Sequence, residues 1–371
     1  MTPVWPLLPQ FDKTVRSLCS VPGVNGSLKP QTFESTVIAE TGERFCDFAP
    51  FVPSLNDAGI VAFQASLSGG GSGVLTGDGR SVAELIETSS RELCKIESHP
   101  DINNRGEVCF YARGKSGKQG VFMVRGGDLI PLAIQGDHYA GIGPLGPSMN
   151  EDGLVAFRAE LKSGASGVFL GRPGKLINVA DTSGGYCGFQ GIPVVDRMGR
   201  LTFRADRTKG GHGIYVSEKG STRTIANTDG LFSELGLFPT ISDEGDVAFC
   251  AVLKDGLAGV FSLRSGRITT LADSSSGFES FRGVLINQSG VVVFYATPVN
   301  GRLGIYRGSD PFQDRILTIG DPVLGSVVIG FALNPVSVNE RGQIAVCVAL
   351  ADGRQAILRL DVSPQGLAQA V

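Results

Sequence analysis

A chain of 371 residues that is 42% hydrophobic, at a mean hydropathy of +0.12, has the apolar material for a large core, which excludes a disordered polymer. A formal charge of −3 and a pI near 5.7 exclude a general attraction to nucleic acid or anionic lipid. No run of about 18 apolar residues is present, so no membrane insertion is expected.

The opening, MTPVWPLLPQFDK, lacks the basic, apolar and small-residue regions of a secretory signal. Seven cysteines (Cys19, Cys46, Cys94, Cys109, Cys187, Cys250 and Cys347) are odd in number and form no C-x-x-C pair. Together these features point to free thiols in a reducing, cytoplasmic setting. Residues 1–34 are expected to be an N-terminal extension with one possible extra strand at 13–19, KTVRSLC. The next stretch, STVIAETGERFCDF at 35–48, resembles ELIETSSRELCKI at 84–96 and NVADTSGGYCGF at 178–189.

From residue 53 onward one phrase recurs. Asn56–Gly59–Phe63 returns as Asn103–Gly106–Phe110, Asn150–Gly153–Phe157, Asp196–Gly199–Phe203, Ser242–Gly245–Phe249, Asn287–Gly290–Phe294 and Asn339–Gly342–Val346. The glycines are spaced by 47, 47, 46, 46, 45 and 52 residues, which marks seven copies of one supersecondary unit. Each copy opens on a short strand, often led by a proline (Pro53, Pro100, Pro147, Pro193, Pro239), and turns at the Asn or Asp. A period-two strand such as IVAFQASL or DVAFCAVL follows, then a glycine turn, a third strand such as GVFMV, a second glycine turn and a fourth strand such as DLIPLAI. A connecting loop of about a dozen residues then leads to the next copy.

Four antiparallel strands at a repeat near 46 residues predict an all-β, seven-bladed β-propeller over 35–362. The last copy supplies strands at 335–338, 343–350 and 354–361 and no fourth, so the N-terminal strand from residue 35 is expected to complete the C-terminal blade and close the ring. Residues 363–371 are expected to be a flexible tail.

The repeat N-x-x-G-x-x-A-F, seen as NDAGIVAF and NEDGLVAF, resembles a family of bacterial tandem-repeat proteins named for it. That resemblance implies a propeller and carries no catalytic residues with it; members are often secreted or surface-anchored, and this chain shows no recognisable anchor. A weaker likeness to NHL-type propellers lies in GIPVVDRMGRLTF and NPVSVNERGQIAV.

The Asn-x-x-Gly turns should share one face, here the bottom, and the connecting loops the other, the top. Chemistry is sought among the top loops, where the copies differ. Cys46, Cys94 and Cys187 occupy equivalent positions, matched elsewhere by Ala140, Ser233 and Glu279, and His99 and His138 lie in the same class of loop. A thiolate beside an imidazole would be a nucleophile, which makes Cys94, His99, Cys46 and Glu279 catalytic candidates. The bland alternative is that this position prefers a small, half-buried residue. Arg44, Asp47, Lys95, Asp101, His138, Cys187, Glu234 and Arg282 are the ligand-binding candidates at a channel mouth. Arg158 and Arg204, each after the Phe of a second strand, either form structural ion pairs or point into a pocket.

No metal site or cofactor motif is evident. The expected role is a ligand- or protein-binding propeller, monomeric or weakly oligomeric, that takes a small molecule or protein at the top face. The alternative is a propeller enzyme of lyase, cyclase or hydrolase type using the same loops.

Overall fold

The computed structural model describes residues 33–48, 52–89, 92–136 and 138–362. The strand expected at 13–19, Cys19 and the tail at 363–371 lie outside the described residues. Within them the chain forms seven antiparallel blades: blade 1 (45–87), blade 2 (93–134), blade 3 (139–181), blade 4 (186–227), blade 5 (232–273), blade 6 (278–318) and blade 7 (322–362). Among the described residues no helix is long and apolar enough to cross a membrane.

Ring closure follows the expected route. The strand Phe33–Glu40 pairs antiparallel with Gln355–Val362, with Ser35 opposite Leu360 and Glu40 opposite Ala356. Thr36 Oγ1 donates to Asp361 at 2.7 Å, and Arg354 pairs with Glu40 across the same seam. Blade 7 therefore takes its outermost strand from the opposite end of the chain, which covers the edge of Gln355–Val362.

Blades 3 to 6 are built on the same aromatic nest, whereas blade 7 has Val346 against Leu358 at the equivalent places. The second-strand Phe stacks on its cross-strand neighbour: Phe157 on Phe169 at 5.5 Å, Phe203 on Tyr215 at 5.6 Å and Phe294 on Tyr306 at 6.0 Å. An aromatic of the innermost strand meets that pair edge-on, as Tyr139, Tyr186, Phe232 and Phe278 do. Such contacts add roughly 0.5–1.5 kcal/mol each beyond area burial. The small residues beside them, such as Ala62, Ala156 and Ala248, are fully buried against the next blade.

The bottom turns join blades as well as strands. Asn56 Oδ1 accepts the Ala58 and Ile60 amides, while its Nδ2 donates to the Asn103 carbonyl of blade 2. Asn150 reaches Asp196, Asn287 reaches Asn339, and Asn339 reaches Asn56 across the closure. The turn glycine, at φ +79° in Gly59, adopts a conformation that costs an L side chain.

One feature of the strands departs from expectation. The segments expected as connecting loops are the upper halves of the innermost strands. Phe45–Asp47 pairs with the far end of Val61–Leu67, and Leu93–Ile96 and Phe232–Leu235 do the same in their blades. Each of the seven innermost strands carries a register shift at the equivalent place, with Cys46, Cys94, Ala140, Cys187, Ser233, Glu279 and Ile329 left out of the ladder, and the strands of blades 4 and 6 carry a second shift. A bulge residue is unpaired, which turns its side chain outward and explains why all seven are exposed.

Candidate functional site

The innermost strand is thin where it crosses the middle of the blade. Glycine occurs there repeatedly, and a Cβ on Gly236 or Gly283 would press on Cys250 or Tyr295 of the second strand beneath. The second-strand side chain after the Phe thus passes close under the channel wall. In most blades it is uncharged: Gln64, Tyr111, Cys250, Tyr295 and Cys347. Blades 3 and 4 place Arg158 and Arg204 there instead.

Around these arginines a polar cluster assembles. Arg204 has a side chain only 9% exposed, and its Nη1 donates to Asp206 Oδ1 at 3.1 Å. Its buried Nε has no hydrogen-bond partner among the described residues. Asp206 also accepts from Gln190 Nε2 at 3.1 Å, and Gln190 sits opposite Arg204 in the ladder. His212 lies opposite Asp206 on the third strand, and its Nε2 accepts the Leu235 amide of blade 5 at 3.1 Å. Arg158 reaches from blade 3 into blade 4, where Nη1 donates to the Gly191 carbonyl at 3.1 Å.

The electrostatics follow from burial. Loss of water lowers the pKa of Arg158 and of Arg204, and the charge of Asp206 opposes that fall in both. Burial also lowers the pKa of His212, helped by the nearby Arg204. His212 is therefore neutral around pH 7, and with Nε2 accepting a hydrogen bond its proton resides on Nδ1. Glu234, exposed at the start of blade 5, acts electrostatically on the same imidazole.

Of the ligand-binding candidates, Glu234 alone comes to this cluster. Lys95, His138, Cys187, Glu279 and Arg282 are exposed, the last two on one strand of blade 6 and Cys187 on the strand that carries Gln190, and Asp47 is half-buried. Arg44 lies over the Phe45 ring and 3.5 Å from Glu84, beside a groove of about 230 Å³ on blade 1.

Two candidates require correction. Asp101 is not a top-loop charge: it is 3% exposed in the lower half of the innermost strand of blade 2, where Oδ2 accepts the Met149 amide at 2.7 Å. Burial pushes its pKa up to about 8. Ser148 and Ser337 hold the same place in other blades and likewise bond the neighbouring blade, so Asp101 is an interblade fastener. His99 is buried against Gly146 with Nε2 facing the Pro147 carbonyl, and burial lowers its pKa to about 4. Cys94 is exposed at its bulge with Sγ on the Gly114 carbonyl, so thiol and imidazole are engaged separately.

Gln190, Asp206 and His212 escaped the sequence reading. A signal existed, because Asp206 is two residues after Arg204 and period two puts both on one face of the strand. The position of His212, at the start of a third strand, carried no such mark.

Two bottom-face cavities offer less chemistry. A groove of about 550 Å³ is lined by Arg200, Arg223 and Arg264, but Arg200 is paired to Asp196 at 2.5 Å and Arg264 to Asp246 at 2.6 Å. The channel mouth, about 90 Å³, carries Asp57, Glu151 and Asp243, each accepting a backbone amide of the adjacent blade. Those groups already serve the ring.

Residues 146–357 match the model of a family of unknown function (DUF7453). No curated protein matches the chain. Among solved structures, an oligogalacturonate lyase in complex with manganese is similar at 11% identity and TM-score 0.57, covering 91% of this chain and 98% of that one. An oligogalacturonate lyase from Vibrio parahaemolyticus is similar at 11% identity and TM-score 0.55, covering 90% and 99%. A polysaccharide lyase is similar at 9% identity and TM-score 0.54, covering 87% and 92%. At such identities the likeness concerns the fold alone. Among the described residues no group of three or more His, Cys, Asp or Glu side chains is arranged to hold a metal ion, so they do not fit a manganese site.

Proposed function

The chain belongs to the family of unknown function DUF7453, and we propose that it is a ligand-binding propeller that seats a small polar molecule on the upper channel wall, where blades 3, 4 and 5 meet. The observation that carries this reading is Arg204, whose buried Nε lacks a partner. A buried polar group left unpaired costs roughly 1–3 kcal/mol, and a charged one more. A ligand acceptor supplies the missing bond.

Arg204 and Arg158 are the donors in this reading, Gln190 and Asp206 orient Arg204, and His212 presents an Nδ1–H beside them. The exposed side chains of Arg44, Lys95, His138, Glu234, Glu279 and Arg282 form the rim through which the ligand passes. A small molecule suits the wall better than a protein does, because a donor buried to this depth is reached only by a slender group. Support for binding over catalysis comes from His212, whose Nε2 is spent on a backbone amide instead of facing a reactant.

A thermal-shift screen of small polar metabolites tests the proposal, run on the wild type and on Arg204→Met. Ligands that raise the wild-type melting temperature should lose their effect in the variant. Ligands that stabilise both proteins equally would place binding elsewhere.

A further inference from the structure

We propose that the ligand of the upper wall is a small carboxylate-bearing molecule, held between Arg158 of blade 3 and Arg204 of blade 4. This rests on the binding site proposed above and adds the chemical class of its occupant.

Charge balance is the starting point. The buried guanidinium of Arg204 and the half-buried one of Arg158 both lie in the field of Asp206. That carboxylate is already engaged by Arg204 at Oδ1 and by Gln190 at Oδ2. Arg158 has a carbonyl, Gly191, as its side-chain partner, and a carbonyl satisfies an N–H without neutralising its charge. The exposed Glu234 apart, the wall therefore sets two guanidiniums against the one carboxylate of Asp206. A buried cation without a counter-ion is unfavourable, so the apo wall is strained electrostatically in a way that an anion relieves.

Position in the repeat supports the same conclusion. At the places equivalent to Arg158 and Arg204 the other blades have Gln64, Tyr111, Cys250, Tyr295 and Cys347, all without charge at neutral pH. The blade does not require a cation here. Neighbouring blades acquire one each, on the stretch of wall where Arg204 Nε is left over. Guanidinium groups offer planar, paired N–H donors, which match the two oxygens of a carboxylate better than a hydroxyl or an amide does.

The test compares D-galacturonate with D-galactose, which share a ring and differ in the carboxylate, and adds succinate as a carboxylate that is not a sugar. Calorimetric titration and melting temperature are read on the wild type, Arg158→Met and Arg204→Met. The expected result is that one or both carboxylates bind the wild type, that D-galactose does not, and that Arg158→Met binds at least about tenfold more weakly. Without ligand, Arg158→Met should melt at or above the wild-type temperature, since it removes a half-buried charge that is bonded to a carbonyl and not to a carboxylate. Arg158→Gln repeats the comparison if the Met variant does not fold.

Equal binding of D-galactose and D-galacturonate, both lost in Arg204→Met, would overturn the carboxylate class while leaving the site in place. Carboxylate binding unchanged in both variants would overturn the site itself. A wild type that responds to neither carboxylate at millimolar concentration would also overturn the inference.

Discussion

Ser35 lies opposite Leu360, and the ladder between them runs the length of the strand Phe33–Glu40. Ile38 of that strand is 5% exposed and packs in a cluster with Phe45, Phe63 and Ile357, which ties blade 7 to blade 1. The seam is thus part of the core. Ile38→Ala should cost about 2–5 kcal/mol in urea unfolding, as for other buried aliphatic truncations. A loss near zero would mean that the ring holds without its closing strand.

Asp101 makes stability depend on pH with an unusual sign. Its carboxyl titrates near 8 in the folded protein and near 3.8 when unfolded, because burial disfavours the charge. The folded state therefore holds a proton that the unfolded state has released. The contribution is present in full below about 3.8 and is lost as pH rises to about 8. His99, with its pKa lowered from 6.5 to about 4, acts oppositely, losing stability as pH falls through that window. The two slopes oppose each other below 6.5, and Asp101 acts without that opposition above it. Melting temperatures of the wild type should fall between pH 6.5 and 8, and Asp101→Asn, which retains an acceptor for the Met149 amide, should flatten that fall.

Gly191 couples the wall to the ring. It sits at φ +70°, and a Cβ there would overlap the Leu237 carbonyl of blade 5. The same residue presents the carbonyl that receives Arg158. Gly191→Ala should lower stability by about 3 kcal/mol and weaken ligand binding together. A variant that melts as the wild type does would show that blades 4 and 5 are not in tight register at this point.

The thiols separate by exposure. Cys46, Cys94 and Cys187 stand at bulges, whereas Cys109 and Cys347 are buried and burial raises their pKa values. Peptide mass spectrometry after brief alkylation should find the first three modified and the latter two protected until unfolding. Ligand affinity should survive Cys94→Ser, since the wall does not use that thiol. A loss of binding in that variant would return the thiol to the site.

Much of this architecture is legible in sequence, because it is written seven times. The Asn-x-x-Gly turn and the buried Phe recur at a fixed spacing, and both owe that recurrence to local causes: a positive φ, an Asx bond and an aromatic nest. The bulges are not legible in the same way. FCDF and LCKI look like loop because their strand half is short and its pairing partner is the end of a strand already accounted for. Asp101 and His99 misled for a related reason, since a charged or titratable residue next to a proline suggests solvent, whereas interblade hydrogen bonds bury both here. Arg158 and Arg204 stood out as departures from the repeat, but Asp206, Gln190 and His212 come from three strands whose register only the folded ladder reveals.

The most direct measurement is a crystal structure of the protein soaked with D-galacturonate. The account predicts carboxylate density against the guanidiniums of Arg158 and Arg204, with Arg204 Nε bonded to the ligand. Density confined to the bottom groove at Arg223 or to the channel mouth at Asp57, with the upper wall unoccupied, would contradict it.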